Sequence, residues 1–495
     1  MNLRPYQTNA IQTLADSFRN GNKSVIFCLP TGGGKTVCFS EIARRAIAKN
    51  PTKKVLILTD RIELLSQAGG ALRRAGLDIG VIMANGSSMI PRNNVIVGMV
   101  ETYARRIAKG WKINNLSLII IDEAHKGNFK KIINLHSQDE NIRIIGATAT
   151  PITSSKKDPL KNYYADIVVG TDIAELIELG FLAKPRYFAV KADITAKIGS
   201  DGDYKTADLF KDFNKKSVYE GCVDNYTAHA KNKKTLVFCV NIEHAQNTCQ
   251  SFIEAGYEQV KYMVSEGITP IERKQMLKWF AETPNAILVN VGILSTGFDE
   301  PTVECVILNR ATKSLPLYLQ MVGRGARVTP EKDNFIVIDM GNNVASHGFW
   351  NDVRDWKEMF FNPNQPKERK GEDIDMTKEC PQCQNLIHIS KMICEGCGYE
   401  FPKKEVISEF AITEEIDPLQ FSYLYKVKPS VMTIDELIMR AKLGNPNTGA
   451  SYKKGWVIHQ LLERENPESA LREYAQKMGY KEGWVKYQIQ ELQSV

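Results

Sequence analysis

The apolar run Ser24 to Cys28 leads into Leu29-Pro30-Thr31-Gly32-Gly33-Gly34-Lys35-Thr36, and a helix-forming stretch begins near Cys38. Strand, glycine loop and helix in that order admit few folds, because the loop must turn tightly and aim its N–H groups from a helix N-terminus. Such a loop cradles phosphate. Thr31, Gly32, Gly33 and Gly34 supply the bend, Lys35 offers a point charge to the β- and γ-oxygens, and the Thr36 hydroxyl can hold Mg2+. Leu29 stands where the usual pattern has glycine or alanine. Taken alone, the loop indicates only a nucleotide-binding protein.

The rest of the chain repeats the theme. Short β-rich runs, including Val55 to Leu58, Val95 to Val97, Leu118 to Ile121 and Arg143 to Ile145, alternate with helix-like segments. Continuous apolar strands between helices indicate a parallel sheet covered on both faces. The alternation resumes with Arg186 to Val190, Thr235 to Val240, Ala286 to Val291, Val303 to Leu308 and Phe335 to Asp339. The fold class is therefore α/β, with two mononucleotide-type domains in tandem, at 1–183 and 184–350. Asp172 to Lys184 reads as a helix ended by Gly180 and Pro185, at the crossing between them. A charged, proline-bearing linker is expected over 351–378, a four-cysteine element over 379–402 and a helical region over 403–495.

With 495 residues, 43% hydrophobic and 24% charged, the chain can bury substantial cores and is not a disordered protein. No apolar run reaches the roughly 18 residues of a membrane span, and the N-terminus lacks a signal-peptide core. The expectation is a cytoplasmic protein with no membrane partner, nucleoid-associated or, for a virus, in the host cytoplasm. A net charge of +7 suits a polyanion but is weak evidence. Six of the ten cysteines lie in apolar surroundings and read as small hydrophobes.

Asp122-Glu123-Ala124-His125 follows the apolar strand Leu118 to Ile121, which delivers both carboxylates to the C-terminal edge of a parallel sheet. Asp122 can hold Mg2+ through water, and Glu123 can accept a proton from the water that attacks the γ-phosphate. An acidic pair after a strand also serves as a helix N-cap; the glycine loop upstream favours the nucleotide reading.

In sequence order, these motifs resemble the superfamily 2 helicases, with Asp122 to His125 similar to their DEAH box. Arg4-Pro5-Tyr6-Gln7 resembles the Q motif, whose glutamine reads adenine in the family. Thr59-Asp60-Arg61 resembles motif Ia and Val97 to Thr102 motif Ib, both of which contact the nucleic-acid backbone in the family. Ala147-Thr148-Ala149-Thr150 resembles motif III, and Leu236 to Cys239 motif IV. Ser295-Thr296-Gly297-Phe298-Asp299 resembles motif V, and Gln320 to Arg327 motif VI. The resemblance covers about residues 1–345 and implies two RecA-like domains. It implies nucleotide contacts from Arg4, Gln7, Gly297, Asp299 and Gln320, and strand contacts from Thr59, Arg61, Thr102 and Thr296. His125 couples the nucleotide site to motif VI in the family and receives no proton-transfer role. Arg324 and Arg327, three apart and on one face if helical, suit transition-state charge on a γ-phosphate; a solvated face or structural salt bridge is the competing reading.

Cys380-Pro381-Gln382-Cys383 and Cys394-Glu395-Gly396-Cys397 have double Cys-x2-Cys spacing, which closes a tetrahedron around structural Zn2+. Reduced free cysteines are the other reading, and His388 is a surface residue or a fifth candidate ligand. Tyr452-Lys453-Lys454-Gly455-Trp456-Val457 recurs as Tyr480-Lys481-Glu482-Gly483-Trp484-Val485. Those aromatics either stack bases or anchor two small helical hairpins. Together with the ribbon, the repeat resembles the RadD-like branch of bacterial and phage helicases. The resemblance implies an ATP- and Mg2+-dependent DNA helicase of repair, recombination or replication, acting on single-stranded, forked or branched DNA beside single-strand-binding or recombination proteins. An RNA helicase, a DNA-structure-binding recombination adaptor and a motor subunit of a restriction or defence complex remain as alternatives.

Overall fold

The computed structural model describes residues 3–363 apart from 60–68, 84–89, 127–128, 137, 154–157, 190–191, 193, 265–266 and 295–297. Beyond 363 it describes 377–379, 386–388, 415–416, 429–443, 452, 455–464, 466–478, 480 and 484–485. Two seven-stranded sheets dominate. The first is parallel and contains β1 (Ser24–Cys28), β2 (Lys54–Thr59), β3 (Ile79–Ile82), β4 (Val95–Met99), β5 (Leu116–Asp122), β6 (Arg143–Thr148) and β7 (Asp166–Val169), in the order β3-β4-β2-β5-β6-β1-β7. The second contains β8 (Lys184–Ala189), β9 (Thr235–Phe238), β10 (Val260–Met263), β11 (Ile287–Asn290), β12 (Cys305–Leu308) and β13 (Asn334–Asp339), in the order β10-β11-β9-β12-β13-β8. Of the later strands, β14 (Thr377–Glu379) and β15 (Leu386–His388) pair with each other, and β16 (Glu415–Ile416) runs antiparallel to β8.

The central apolar runs are buried along their length. Val25, Ile26, Leu56, Ile57, Ile119 and Ile120 are all fully inaccessible, as expected where helices cover both faces of a sheet. These are two RecA-like α/β domains. Sequence reading missed β3, β7, β10 and β16, which are short and lie at or next to sheet edges. Brief edge strands carry too few apolar positions to show a period.

Two expectations are corrected at the domain crossing. The helix after Asp172 covers only Ile173–Glu178, with Asp172 accepting from the Glu175 N–H at 2.8 Å as its N-cap. Pro185 does not stop a helix; it lies inside β8. The expected linker, moreover, begins with packed structure. Trp350 is buried, its indole N–H donates to the Leu319 carbonyl at 3.0 Å and its backbone N–H to Tyr187 Oη at 2.9 Å. Arg354 donates to the carbonyls of His347, Phe349, Trp350 and Asp352, fixing the turn. The helix Trp356–Phe361 then packs on the first domain, where Lys161 Nζ donates to the Phe361 carbonyl at 3.0 Å. The chain thus crosses between the domains twice, forward near 180–184 and back through 350–361.

All six cysteines expected as small hydrophobes are buried and unbridged. Cys380, Cys383, Cys394 and Cys397 lie outside the described residues. Among the described residues, no helix is long and apolar enough to cross a membrane, and no group of three or more His, Cys, Asp or Glu could hold a metal ion.

Candidate nucleotide site

Strands β5, β6 and β1 are neighbours in the first sheet, so the segments leaving their C-terminal ends converge. From β1 comes the glycine loop. Gly32 and Gly34 have φ of +89° and +82°, values that only glycine adopts freely, and the helix Lys35–Lys49 starts immediately afterwards. Leu29, the departure from the usual pattern, is fully buried. A methyl group on Gly170 would lie 2.7 Å from Leu29 Cδ2, so the bulk of one residue is matched by the absence of a side chain on the other. Lys35 Nζ folds back to donate to the Leu29 carbonyl at 3.2 Å.

The N-terminal helix braces the loop. Tyr6 Oη and Gln7 Nε2 both donate to the Gly33 carbonyl, at 3.0 and 3.1 Å, while Gln7 Oε1 accepts from the Arg4 N–H at 2.9 Å. The structure therefore places Gln7 on the phosphate loop with both ends of its amide engaged. Arg4 stacks over the Phe181 ring at 3.6 Å. Tyr6 and Phe181 were not expected at the site; Tyr6 was within reach of sequence reading, because it lies inside the Arg4 to Gln7 tetrapeptide.

From β5 come the carboxylates. Asp122 is nearly buried and accepts from the Glu123 N–H at 3.0 Å. Glu123 has φ +52°, a left-handed conformation that costs a non-glycine residue about 1–3 kcal/mol and is held only where the surroundings enforce it. Burial pushes the Glu123 carboxyl up, but the charges of His125 when protonated, Lys35, Lys126 and Arg324 outweigh it and hold the group below its ordinary range. Its Oε2 is buried with no hydrogen-bond donor among the described residues, 3.3 Å from His125 Nδ1. An ionised carboxylate with an unused oxygen can orient a water and accept its proton.

His125 ties the two domains together. Its Nε2 lies 3.3 Å from Gln320 Nε2, an amide donor, and its Nδ1 lies 2.9 Å from Thr148 Oγ1 at the end of β6. The amide proton requires an acceptor at Nε2, so the neutral ring carries its own proton on Nδ1 and donates it to Thr148.

The second domain meets the glycine loop directly. A methyl group on Gly323 would lie 3.5 Å from Thr31 Cβ, and one on Gly32 would lie 2.9 Å from Arg327 Nη1. Arg327 Nε also donates to Asp299 Oδ1 at 2.8 Å, and Arg324 donates to the Phe298 carbonyl. The two arginines do not share a helical face: the helix Leu315–Val322 ends before them, Arg324 lies in the turns that follow, and Arg327 lies in the irregular segment after those turns.

Other expected residues are less accessible. Thr59 and Thr102 are 1% and 7% exposed, so neither offers a surface to a strand in this conformation. Arg61, Thr296 and Gly297 lie outside the described residues. In the C-terminal region Tyr452 stacks on Trp456 at 4.1 Å and Tyr480 on Trp484 at 4.6 Å, and both tryptophans pack partly buried on a small core containing Leu437, Leu461 and Leu471. That packing favours the anchor reading of the repeat.

The glycine cradle, the lysine folded onto its own loop, the adjacent carboxylate pair and the unmatched Glu123 oxygen fit a nucleoside triphosphate with Mg2+. Thr36 and Asp122 could hold the metal. Comparison with known proteins agrees in outline. Residues 1–153 match the family model described as type III restriction enzyme, res subunit, and residues 217–329 match the helicase conserved C-terminal domain. A Saccharomyces cerevisiae protein named as an ATP-dependent helicase, IRC3, is 33% identical over 357 residues, covering 68% of this chain and 51% of the relative. The chain thus spans about half the length of that relative. A 51.5 kDa protein of a Lactococcus phage is 28% identical over 444 residues, covering 89% of each. Among solved structures, a fragment assigned to an HsdR subunit of a type I restriction enzyme from Vibrio vulnificus shares the fold, with a TM-score of 0.52 at 24% identity, over 68% of this chain and 64% of that one. With two RecA-like domains that match these two family models in order, the chain belongs to the superfamily 2 helicases.

Proposed function

We propose that this chain is an ATP- and Mg2+-dependent DNA translocase or helicase of the DEAH-box, RadD-like kind. The observation that carries the reading is the seating of the Gly323 to Arg327 segment on the glycine loop of the other domain, beside the Gln320–His125 contact. Lys35 and the loop N–H groups would bind the β- and γ-phosphates, and Glu123 would orient the attacking water and take its proton. Arg324 and Arg327 would turn from Phe298 and Asp299 to the γ-phosphate as its charge develops. Bound Mg2+, held by Thr36 and Asp122, would neutralise charge across the β- and γ-oxygens. The site is complete only when the domains are together, so each turnover would open and close the cleft and move the protein along a strand.

The four cysteines would hold one structural Zn2+. In support, β14 and β15 bracket the first cysteine pair, with Glu379 opposite Leu386, the doubling back that a tetrahedral four-thiolate ribbon requires. Elemental analysis of the full chain should give one zinc, lost in Cys394→Ser; a metal-free wild type would end that reading.

A motor subunit of a restriction or defence complex is the second reading, favoured by the res-subunit family match and the HsdR fold relative. A stable nuclease partner would then copurify. ATPase turnover with single-stranded, forked and duplex DNA, with RNA and with no nucleic acid tests the substrate. Stimulation by DNA over RNA is expected, and stimulation by RNA alone would overturn the DNA assignment while leaving the ATP site in place.

A further inference from the structure

Residues 192–219 carry no recognisable chemistry in the sequence. In the structure Ile198 and Tyr204 form an antiparallel bridge, Gly202 turns its tip at φ +85°, and the Gly199 N–H closes the hairpin on the Asp203 carbonyl at 2.7 Å. The hairpin brings one carboxylate, Asp203, against the loop after β12. Asp203 Oδ2 accepts from Thr312 Oγ1 and Oδ1 from the Lys313 N–H, both at 2.6 Å, and Lys313 Nζ lies 5.3 Å from the centre of the Tyr204 ring. Asn343 braces the loop from the other side, accepting from the Thr312 N–H at 2.9 Å and donating to the Arg310 carbonyl at 2.8 Å.

A loop fixed this firmly lies at the C-terminal edge of the second sheet, where parallel sheets bind ligands. Arg310 is the unsatisfied member. Its Nε is withdrawn from solvent and has no acceptor among the described residues. Burial depresses its guanidinium, and the nearby Asp203 charge, the larger of the opposing influences, offsets only part of that. Asp203 itself is committed to Thr312 and Lys313. A guanidinium N–H left without an acceptor is costly, and an arriving anion would relieve it. The loop also leads directly to the nucleotide site. Ser314 donates its N–H to Thr312 Oγ1 at 3.0 Å, caps the helix Leu315–Val322, and that helix carries Gln320 to His125.

We propose that Arg310 and Lys313, positioned by the Asp203 hairpin, bind a phosphodiester of the nucleic-acid strand, and that the helix Leu315–Val322 transmits occupancy of this site to the ATP site. The inference rests on the nucleic-acid motor reading above. Two half-buried cations on the loop that leads into the helix carrying Gln320 suit a strand that must be sensed, and free phosphate is the competing source of the same chemistry.

The test uses the full chain and a labelled single-stranded oligothymidine, with affinity followed by anisotropy against salt. Each lost phosphate contact lowers the slope of log affinity on log salt by about 0.7. Arg310→Gln should show that loss, whereas Lys211→Gln, an equal charge change on an exposed side chain, should keep the wild-type slope. Asp203→Ala should reduce the ratio of oligothymidine-stimulated to unstimulated ATPase several-fold. Asp203→Asn, which keeps one acceptor, should retain more of it. Nucleotide binding by each variant reports an intact fold. An Arg310→Gln slope equal to that of Lys211→Gln, an unchanged stimulation ratio in Asp203→Ala, or inorganic phosphate that raises unstimulated turnover in wild type but not in Arg310→Gln while leaving oligonucleotide affinity unchanged at equal ionic strength would overturn the inference. A wild type that binds no nucleic acid would overturn the motor reading along with it.

Discussion

Gly170→Ala tests how the glycine loop tolerates leucine at its first position. A Cβ at Gly170 would lie 2.7 Å from Leu29 Cδ2 and 2.9 Å from Ala10 Cβ, and Leu29 is fully buried. Ala10 belongs to the helix Pro5–Arg19 and its Cβ has no rotamer with which to yield, so overpacking should cost about 1–3 kcal/mol. Leu29→Ala removes a buried isobutyl group and should cost about 2–5 kcal/mol. In the double variant the contact with Leu29 is gone, and the new methyl can shift away from Ala10 into the space that the leucine has vacated. The double should therefore be at least about 1 kcal/mol more stable than the sum of the single losses. Urea titration, with the shift in midpoint of the first-domain transition converted through its slope, measures each corner of the cycle. Because the Leu29 carbonyl, and not its side chain, contacts Lys35, Leu29→Ala should bind nucleotide within about a factor of two of wild type wherever it is folded. Additivity within about 0.5 kcal/mol would refute the packing argument.

Two further outcomes follow from the site and its surroundings. Gln320→Ala removes the amide that meets His125 across the domains; ATP binding should persist while nucleic-acid stimulation of turnover falls at least several-fold, and equal stimulation in variant and wild type would show that the contact transmits nothing. The second concerns pH. Burial holds His244 at about 3 and His347 at about 4, below the ordinary 6.5, so both contribute stability that is complete above pH 6.5 and is lost as pH falls toward those values. The loss is about 3–5 kcal/mol for each. Burial raises Asp339 to about 6 from 3.8, partly offset by donors from Val344, Asn343 and Gly341; its contribution is complete below about pH 4 and is lost as pH rises through 6. Asp339 therefore softens the acid transition. The fall in Tm between pH 6.5 and 4 should be steeper in Asp339→Asn than in wild type, and a shallower fall would contradict the assignment.

The sheet interiors were legible because each central strand is a run such as Leu118 to Ile121, which only burial on both faces explains. The glycine loop and the Asp122-Glu123 pair were legible for a related reason: chemistry placed right after such a run falls at the sheet edge. Arg310 follows β12 in the same way, but Asp203 and Asn343, which fix its loop, are remote in sequence and carry no local signature. The buried Thr59 and Thr102, the non-helical segment that carries Arg324 and Arg327, and the return of Trp350 to Phe361 onto the first domain are set by tertiary packing. Spacing alone does not encode such packing.

On the proposed function, the loop and carboxylates of the first domain build one ATP site. The most direct measurement compares steady-state ATP hydrolysis and ATP binding in wild type, Lys35→Ala and Glu123→Gln with saturating single-stranded DNA. Turnover should fall at least about a hundredfold in both variants, with ATP binding weakened in Lys35→Ala but retained in Glu123→Gln. Undiminished turnover in Glu123→Gln, with contaminating ATPase excluded, would contradict this site assignment.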